Sequence, residues 1–282
     1  MTRSKKSKRP SKKSILRRPG WLAIVLLVCA AAVASAYLAW FLYGQPEAAG
    51  PHGKQTAEAN DNPGQTEGHP AILPFNKNQY SLSDSGSLWV IVNKGRRLPE
   101  GYTPGMLVTT AMPLSRSGIL LREDAAKALE SLVGGAKSAG LNLMLASGYR
   151  SYSYQTNLYN GYVSSQGQTE ADRTSARPGH SEHQTGLAAD LAPVSRKCEI
   201  EKCFGNLAEG KWLASNAHSY GFIIRYPEGQ ESFTGYDYEP WHIRYVGAPL
   251  AGQIYNSGET LEQFFGLPTY PSYPSDIFQL AV

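Results

Sequence analysis

Apolar residues follow three different rhythms along this chain. From Trp21 to Tyr43 they run almost without a break: WLAIVLLVCAAAVASAYLAWFLY holds no charged residue. A helix of that length, at about 1.5 Å per residue, reaches roughly 34 Å, enough for the ~30 Å hydrocarbon layer of a bilayer. Over 123–139 (EDAAKALESLVGGAKSA) the apolar positions instead recur at helical spacing, placing Ala125, Leu129, Leu132, Val133 and Ala136 on one face. Glu123 and Asp124 suit the positive N-terminal end of that helix, and Gly140 its stop. The same spacing predicts helices over 153–165, with Leu158, Tyr159, Tyr162 and Val163 inward, and over 207–220, with Leu213, Ala217 and Tyr220 inward and Gly221 closing it. Short apolar runs read as strands at 87–94 (SLWVIVNK) and 141–147 (LNLMLAS), and 222–226 (FIIRY) and 241–246 (WHIRYV) are β-rich enough for either to be one. GETLEQFFG (258–266) reads as a terminal helical turn or two. Helices and strands mix without regular strand–helix alternation. The predicted class is therefore α+β, a single domain with a central mainly antiparallel sheet and flanking helices, preceded by one transmembrane helix.

Charge sharpens this division. The whole chain of 282 residues carries a formal +4, yet nine of its 27 basic side chains lie in residues 1–20 with no acidic one beside them. The remainder holds 18 basic against 23 acidic side chains, a formal −5. That excludes a basic nucleic-acid-binding surface over the bulk of the protein. A mean hydropathy of −0.35 excludes a polytopic membrane protein. Directly before an apolar span, residues 1–20 read as a cytoplasmic basic tail that orients the chain. Residues 21–43 read as a signal anchor, with Trp21, Trp40 and Tyr43 as interfacial aromatics. The competing reading is a secreted protein cleaved near Ala36, since Ala34-Ser35-Ala36 has a small-x-small pattern. Cys29 lies within the span. Residues 44–72, rich in Gly, Pro, Ala, Gln and Glu, bury too little to offset their ordering entropy and read as a flexible tether. His52 and His69 lie there and are weak ligands for that reason. Residues 73–282 form the folded, extracytoplasmic domain.

Two strings in that domain carry the polar chemistry. The first is Ser181-Glu182-His183-Gln184-Thr185-Gly186-Leu187-Ala188-Ala189-Asp190, and the second is Glu239-Pro240-Trp241-His242. Two imidazoles and a carboxylate suffice for a catalytic Zn²⁺ that keeps its fourth position open. Spacing alone does not require it. In a straight strand His183 and Asp190 face opposite sides, and Gly186 permits but does not demand the turn that unites them. Pro240 keeps Glu239 and His242 out of a helix interior, and a bent or bulged start to the 241–246 strand could aim both at one point. His180 is an alternative ligand, and His218 reads as a packing histidine on the third helix.

These strings, with SGYRSYSYQ at 147–155, WVIVNKGRRLPEGYTP before it, and GFIIRYP and YEPWHIRYVG after it, resemble the VanY-type zinc D-alanyl-D-alanine carboxypeptidases. The resemblance implies that His183, Asp190 and His242 hold one Zn²⁺ and that Glu239 is the catalytic carboxylate. It also implies that Arg150, Gln155 and Ser181 line the substrate site. Trp241 is either core or pocket wall. In such a site the metal lowers the pKa of water toward roughly 7, Glu239 serves as base, and Arg150 stabilises the oxyanion or holds the substrate's terminal carboxylate. The implied partners are peptidoglycan stem peptides, reached by an outward-facing domain. An L,D-carboxypeptidase acting on tetrapeptide stems, a wall-binding module without catalysis, and an ectodomain with a structural zinc are the rival readings. Cys198 and Cys203 enclose four residues, and an extracytoplasmic setting predicts a local disulfide that pins the loop after Asp190 near the site.

Overall fold

The computed structural model describes residues 75–282. The basic tail, the predicted span and the whole of the tether lie outside the described residues. Among the described residues no helix is long and apolar enough to cross a membrane.

Four strands form the central sheet: β1 (Leu143–Ser147), β2 (Ala188–Pro193), β3 (Phe222–Tyr226) and β4 (Glu239–Tyr245), in the order β1-β2-β4-β3. Every pairing in it is antiparallel. Helix α1 (Glu123–Ser138) forms as its periodicity predicts, burying Ala125, Leu129, Leu132, Val133 and Ala136. Of these, Leu129, Leu132, Val133 and Ala136 pack with Leu143, Leu145, Ala189, Leu191, Phe222 and Ile243 from the strands into the largest core cluster. Since successive strand residues alternate between faces, Asp190 and His242 project from the opposite face. One face of the sheet is therefore the core, and the other is free to carry chemistry. Helix α2 (Tyr152–Gln166) follows β1, α3 (Ala208–Asn216) runs on into a 3₁₀ turn that ends at left-handed Gly221, and α4 (Ala248–Ser257) packs beside β3. A helical turn over Leu261–Phe264 is capped by Thr260.

Two expectations need correction. Residues 87–94 are not a strand: Trp89 and Ile91 enter one apolar cluster, Val90 and Val92 another, and the segment has no ladder partner. Its carbonyls are satisfied by guanidinium groups. Arg244 donates to Leu88 O and Val90 O, and Arg96 donates to Ile91 O. The inner stripe of α2 also differs. Tyr159 is buried, Leu158 and Val163 are half-buried, and Tyr162 is exposed; the other buried residue is the polar Gln155.

Two irregularities in the sheet aim side chains. Ser147 pairs with Asp190 across a register shift after Leu145. Tyr226 pairs with Glu239 while Ile224 pairs with Ile243, so β4 carries two extra residues around Pro240. Such a bulge suits a residue with no backbone donor, and it re-aims the side chains beside it. Ahead of β2, Glu182–Thr185 forms a 3₁₀ turn ended by Gly186 at φ 70°. A Cβ at Gly186 would also stand 3.1 Å from Arg122 N. Gly186→Ala is therefore expected to lower folding stability by about 1–3 kcal/mol in a denaturant titration; an unchanged midpoint would show that the turn tolerates a side chain.

Candidate metal centre and active site

Asp190 and His242 are direct cross-strand partners in the β2–β4 register, and the 3₁₀ turn brings His183 above them. His183 Nε2 lies 3.3 Å from Asp190 Oδ2, and His242 Nδ1 lies 3.3 Å from Asp190 Oδ1. One ligand atom from each of the three falls within 4.8 Å of the others, and all three residues are buried. The bulge turns Glu239 to the same point, its Oε2 3.3 Å from His242 Nδ1.

The ring orientations are set from behind. His183 Nδ1 sits 2.7 Å from Gly148 O, which fixes the proton on Nδ1 and leaves the Nε2 lone pair facing the cluster. Gly148 is required for this approach, because a Cβ there would lie 2.4 Å from Leu120 O. His242 presents Nδ1 to the cluster, while its Nε2 points toward Glu182 Oε2 at 3.9 Å. Glu182 is buried and receives Arg225 Nε at 2.9 Å and Arg244 Nη1 at 2.8 Å on its other oxygen. Arg225 is anchored in turn on Glu262, which also accepts from Asn93.

The electrostatics suit a cation. Asp190 Oδ1 is buried with no hydrogen-bond partner, beside two imidazole nitrogens aimed at the same space. That donor set fits a three-ligand zinc site. Burial and the Arg150 charge lower the His183 pKa to about 4, so its ring is neutral as a ligand must be. Burial disfavours charge on His242 too, but Glu182, Glu239 and Asp190 outweigh it and raise that ring to about 9, so a cation bound at Nδ1 takes the place of a proton. Asp190 is held below the usual carboxylate range, burial being overcome by His183, Arg150 and His242. Burial pushes Glu239 above its ordinary value, against the lowering effect of His242.

Arg150 follows β1 and places Nη2 2.7 Å from Asp190 Oδ2 and 3.0 Å from His183 Nε2. A cleft of about 320 Å³ opens over this cluster, lined by Arg150, Ser181, His183, Asp190, Glu239 and His242 among others. Trp241 joins both the core cluster and the cleft wall. Gln155 does not reach the cleft. Its amide donates to Ala176 O and Ser175 Oγ, and its oxygen accepts from Arg150 Nη1 at 3.4 Å, so it positions Arg150. His180 is buried outside the cluster with Nδ1 2.8 Å from Asn93 O, and His218 stacks on Tyr255 at 3.7 Å. Cys198 and Cys203 are joined by a disulfide, and Ile200 and Lys202 of the loop it closes line the cleft.

Glu182, Arg225 and Arg244 are the buried charged residues behind the cluster that motif reading missed. Their signal was present: FIIRY and HIRYV each bury an arginine inside an apolar strand, which demands a buried carboxylate partner.

A family model described as VanY, D-alanyl-D-alanine carboxypeptidase, matches residues 118–248. The bifunctional D-Ala-D-Ala dipeptidase and carboxypeptidase VanXYC of Enterococcus gallinarum is 34% identical over 178 residues, covering 62% of this chain and 91% of that protein. This chain belongs to the VanY family. Among solved structures of the VanY fold, the LdcB LD-carboxypeptidase is 41% identical with a TM-score of 0.62, covering 66% of this chain and 88% of that one. A mutant of the vancomycin-resistance D,D-pentapeptidase VanY of the VanB-type cassette, in complex with Zn(II), is 31% identical with a TM-score of 0.51, over 62% and 97% of the two chains.

Replacing Glu182 by Gln removes the charge that Arg225 and Arg244 share and the acceptor that His242 Nε2 faces. Zinc affinity measured by chelator competition is expected to fall about 10–100-fold. The wild-type carboxylate is held ionised far below its ordinary range despite burial, by Arg225 and Arg244. Its stabilising effect is thus complete above about pH 4.5 and lost as pH falls through its lower folded value. Unchanged zinc affinity and unchanged acid unfolding in Glu182→Gln would remove both roles.

Proposed function

We propose that this chain is a zinc-dependent carboxypeptidase that hydrolyses the bond to the terminal D-alanine of peptidoglycan stem peptides. The observation that carries the reading is the convergence of His183 Nε2, Asp190 and His242 Nδ1 around an unpaired carboxylate oxygen, with Glu239 alongside. His183, Asp190 and His242 hold the metal. Zinc, when bound, supplies Lewis-acid polarisation of the scissile carbonyl and acidification of water. Glu239 takes the proton of the attacking water and delivers it to the leaving amine, a task its burial-raised pKa favours. Arg150, oriented by Gln155 and Ser147, offers a fixed positive charge to the developing oxyanion or to the substrate's terminal carboxylate. Ser181 and Trp241 contribute wall to the cleft in which the peptide lies.

The family's description favours a D-alanyl-D-alanine bond, and so a pentapeptide stem. A second reading, cleavage of the L,D bond in tetrapeptide stems, is supported by the higher identity and TM-score to an LD-carboxypeptidase than to the D,D-pentapeptidase. A module that binds without cleaving is disfavoured by the presence of Glu239 and all three ligands. The basic block and the uncharged 21–43 segment support an anchored, outward-facing enzyme, with release by cleavage near Ala36 as the alternative.

Incubating the zinc-loaded chain with muramyl penta- and tetrapeptides and identifying the released amino acid by mass separates the readings. Release from the pentapeptide alone means D,D cleavage, release from the tetrapeptide alone means L,D cleavage, and no release from either overturns the proposal. Glu239→Ala is expected to keep zinc bound at one ion per chain while turnover falls by about 10²–10⁴-fold. Loss of the metal in that variant would reassign Glu239 as a ligand.

A further inference from the structure

The disulfide beside the cleft closes an unusual loop. Between β2 and α3 the chain makes successive turns, with Glu199 N bonded to Arg196 O, Glu201 N to Cys198 O and Phe204 N to Glu201 O. Among the described residues, four that are not glycine adopt a left-handed φ. Three of them fall here: Arg196, Cys198 and Ile200, at 59°, 54° and 56°. Ile200 is the exceptional one, because a branched Cβ crowds the backbone in that region and isoleucine rarely enters it. Yet this residue, 40% exposed, is one of the two that the loop presents to the cleft, the other being Lys202.

Something must hold Ile200 there. The turn bonds to Arg196 O and Cys198 O are long, at 3.3 Å each. Lys202 donates to Asp237 at 2.8 Å, but its side chain is largely in solvent, and a surface pair of this kind contributes little. The ends of the loop are already anchored, Cys198 against the main core cluster and Phe204 buried within it. A bond that encloses only four residues also restrains the unfolded chain less than one closing a long loop. What the disulfide fixes is therefore local: the path of the backbone through Ile200.

We propose that Ile200 is a substrate-binding residue, and that the Cys198–Cys203 disulfide sets the affinity of the cleft by holding it at the rim. This rests on the peptidase reading above and adds a wall of the cleft to it. Methyl and methylene groups of a bound peptide cover the exposed isoleucine. The contact is the same before and during reaction, so it acts on KM and leaves kcat alone. The bond is then also a switch. Both cysteines are half-buried, within reach of a small dithiol. Two electrons and two protons from the dithiol break the sulfur–sulfur bond and leave two thiols, while the reductant becomes a disulfide. Ile200 relaxes to an ordinary φ and the wall is lost.

The test uses the full zinc-loaded chain with the muramyl penta- and tetrapeptides. Cys198→Ser/Cys203→Ser opens the loop without thiols that would compete for zinc. Ile200→Gly removes the side chain with the disulfide intact, at a φ that glycine accepts, so its unfolding midpoint is expected not to fall. Each variant is expected to raise KM about tenfold on the cleaved peptide, with kcat within about twofold of wild type and zinc still at one per chain. Wild type reduced with a dithiol, desalted and assayed at one zinc per chain is expected to match the double variant and to recover on reoxidation. An unchanged KM in either variant, or a fall in kcat or zinc content in place of the rise in KM, would overturn the proposal. If wild type cleaves neither peptide, the hydrolase reading fails and calorimetry decides. Peptide binding that weakens about tenfold in both variants keeps the loop as a binding wall, and equal or absent binding overturns it.

Discussion

A single buried carboxylate ties this structure together. Glu182 sits in the turn next to His183, and its charge is shared by Arg225 on β3 and Arg244 on β4. Arg225 reaches on to Glu262 in the helical turn after α4, and Arg244 reaches on to the carbonyls of Leu88 and Val90. Five separate pieces of the chain therefore meet through charge-assisted hydrogen bonds inside the protein. Removing one member of such a network leaves an uncompensated buried ion, at a cost of about 3–5 kcal/mol. The network is better understood as specifying one arrangement than as a source of net stability. What it specifies includes the position of His242, whose far nitrogen faces the free oxygen of Glu182.

The sheet supplies the second constraint. Its alternation sends Leu145, Leu191 and Ile243 to the α1 side, and leaves Asp190 and His242 together on the other. Regular strands alone would not complete the centre. Glu239 lies three residues before His242, an odd separation that faces the wrong way in a flat strand, and the two-residue bulge at Pro240 corrects it. Asp190 and Glu239 then face each other across His242 with their pKa values pushed in opposite directions. Arg150 and the imidazoles hold the first ionised, and burial raises the second. One carboxylate is thus kept ionised and the other made more basic by surroundings alone.

Much of this was legible in the chain itself. The α1 stripe, the stop at Gly221 and the apolar β1 depend on local periodicity and turn chemistry, and these appear as expected. The metal cluster was legible as a motif, although spacing alone left its convergence open. That convergence depends on the β2–β4 register and on a bulge, neither of which is local. An arginine inside each of two apolar strands signalled a buried carboxylate, but which carboxylate was not legible, since Glu182 lies 43 residues from Arg225 and 62 from Arg244. Residues 87–94 mimic a strand because their alternation serves two apolar clusters, while side-chain donors replace a ladder. Gln155 resembles a substrate contact by position, yet its amide is spent on Ala176, Ser175 and Arg150.

The central claim is that these constraints build a zinc centre from His183, Asp190 and His242. A second group of potential ligands, Cys198, Glu201 and Cys203, lies on the loop beside the cleft, with its sulfurs in the disulfide. X-ray absorption at the zinc edge distinguishes the two directly. The account predicts one zinc per chain with only nitrogen and oxygen neighbours, at about 2.0–2.2 Å, and the multiple scattering of two imidazoles. Sulfur scattering at about 2.3 Å, or a single imidazole, would contradict it.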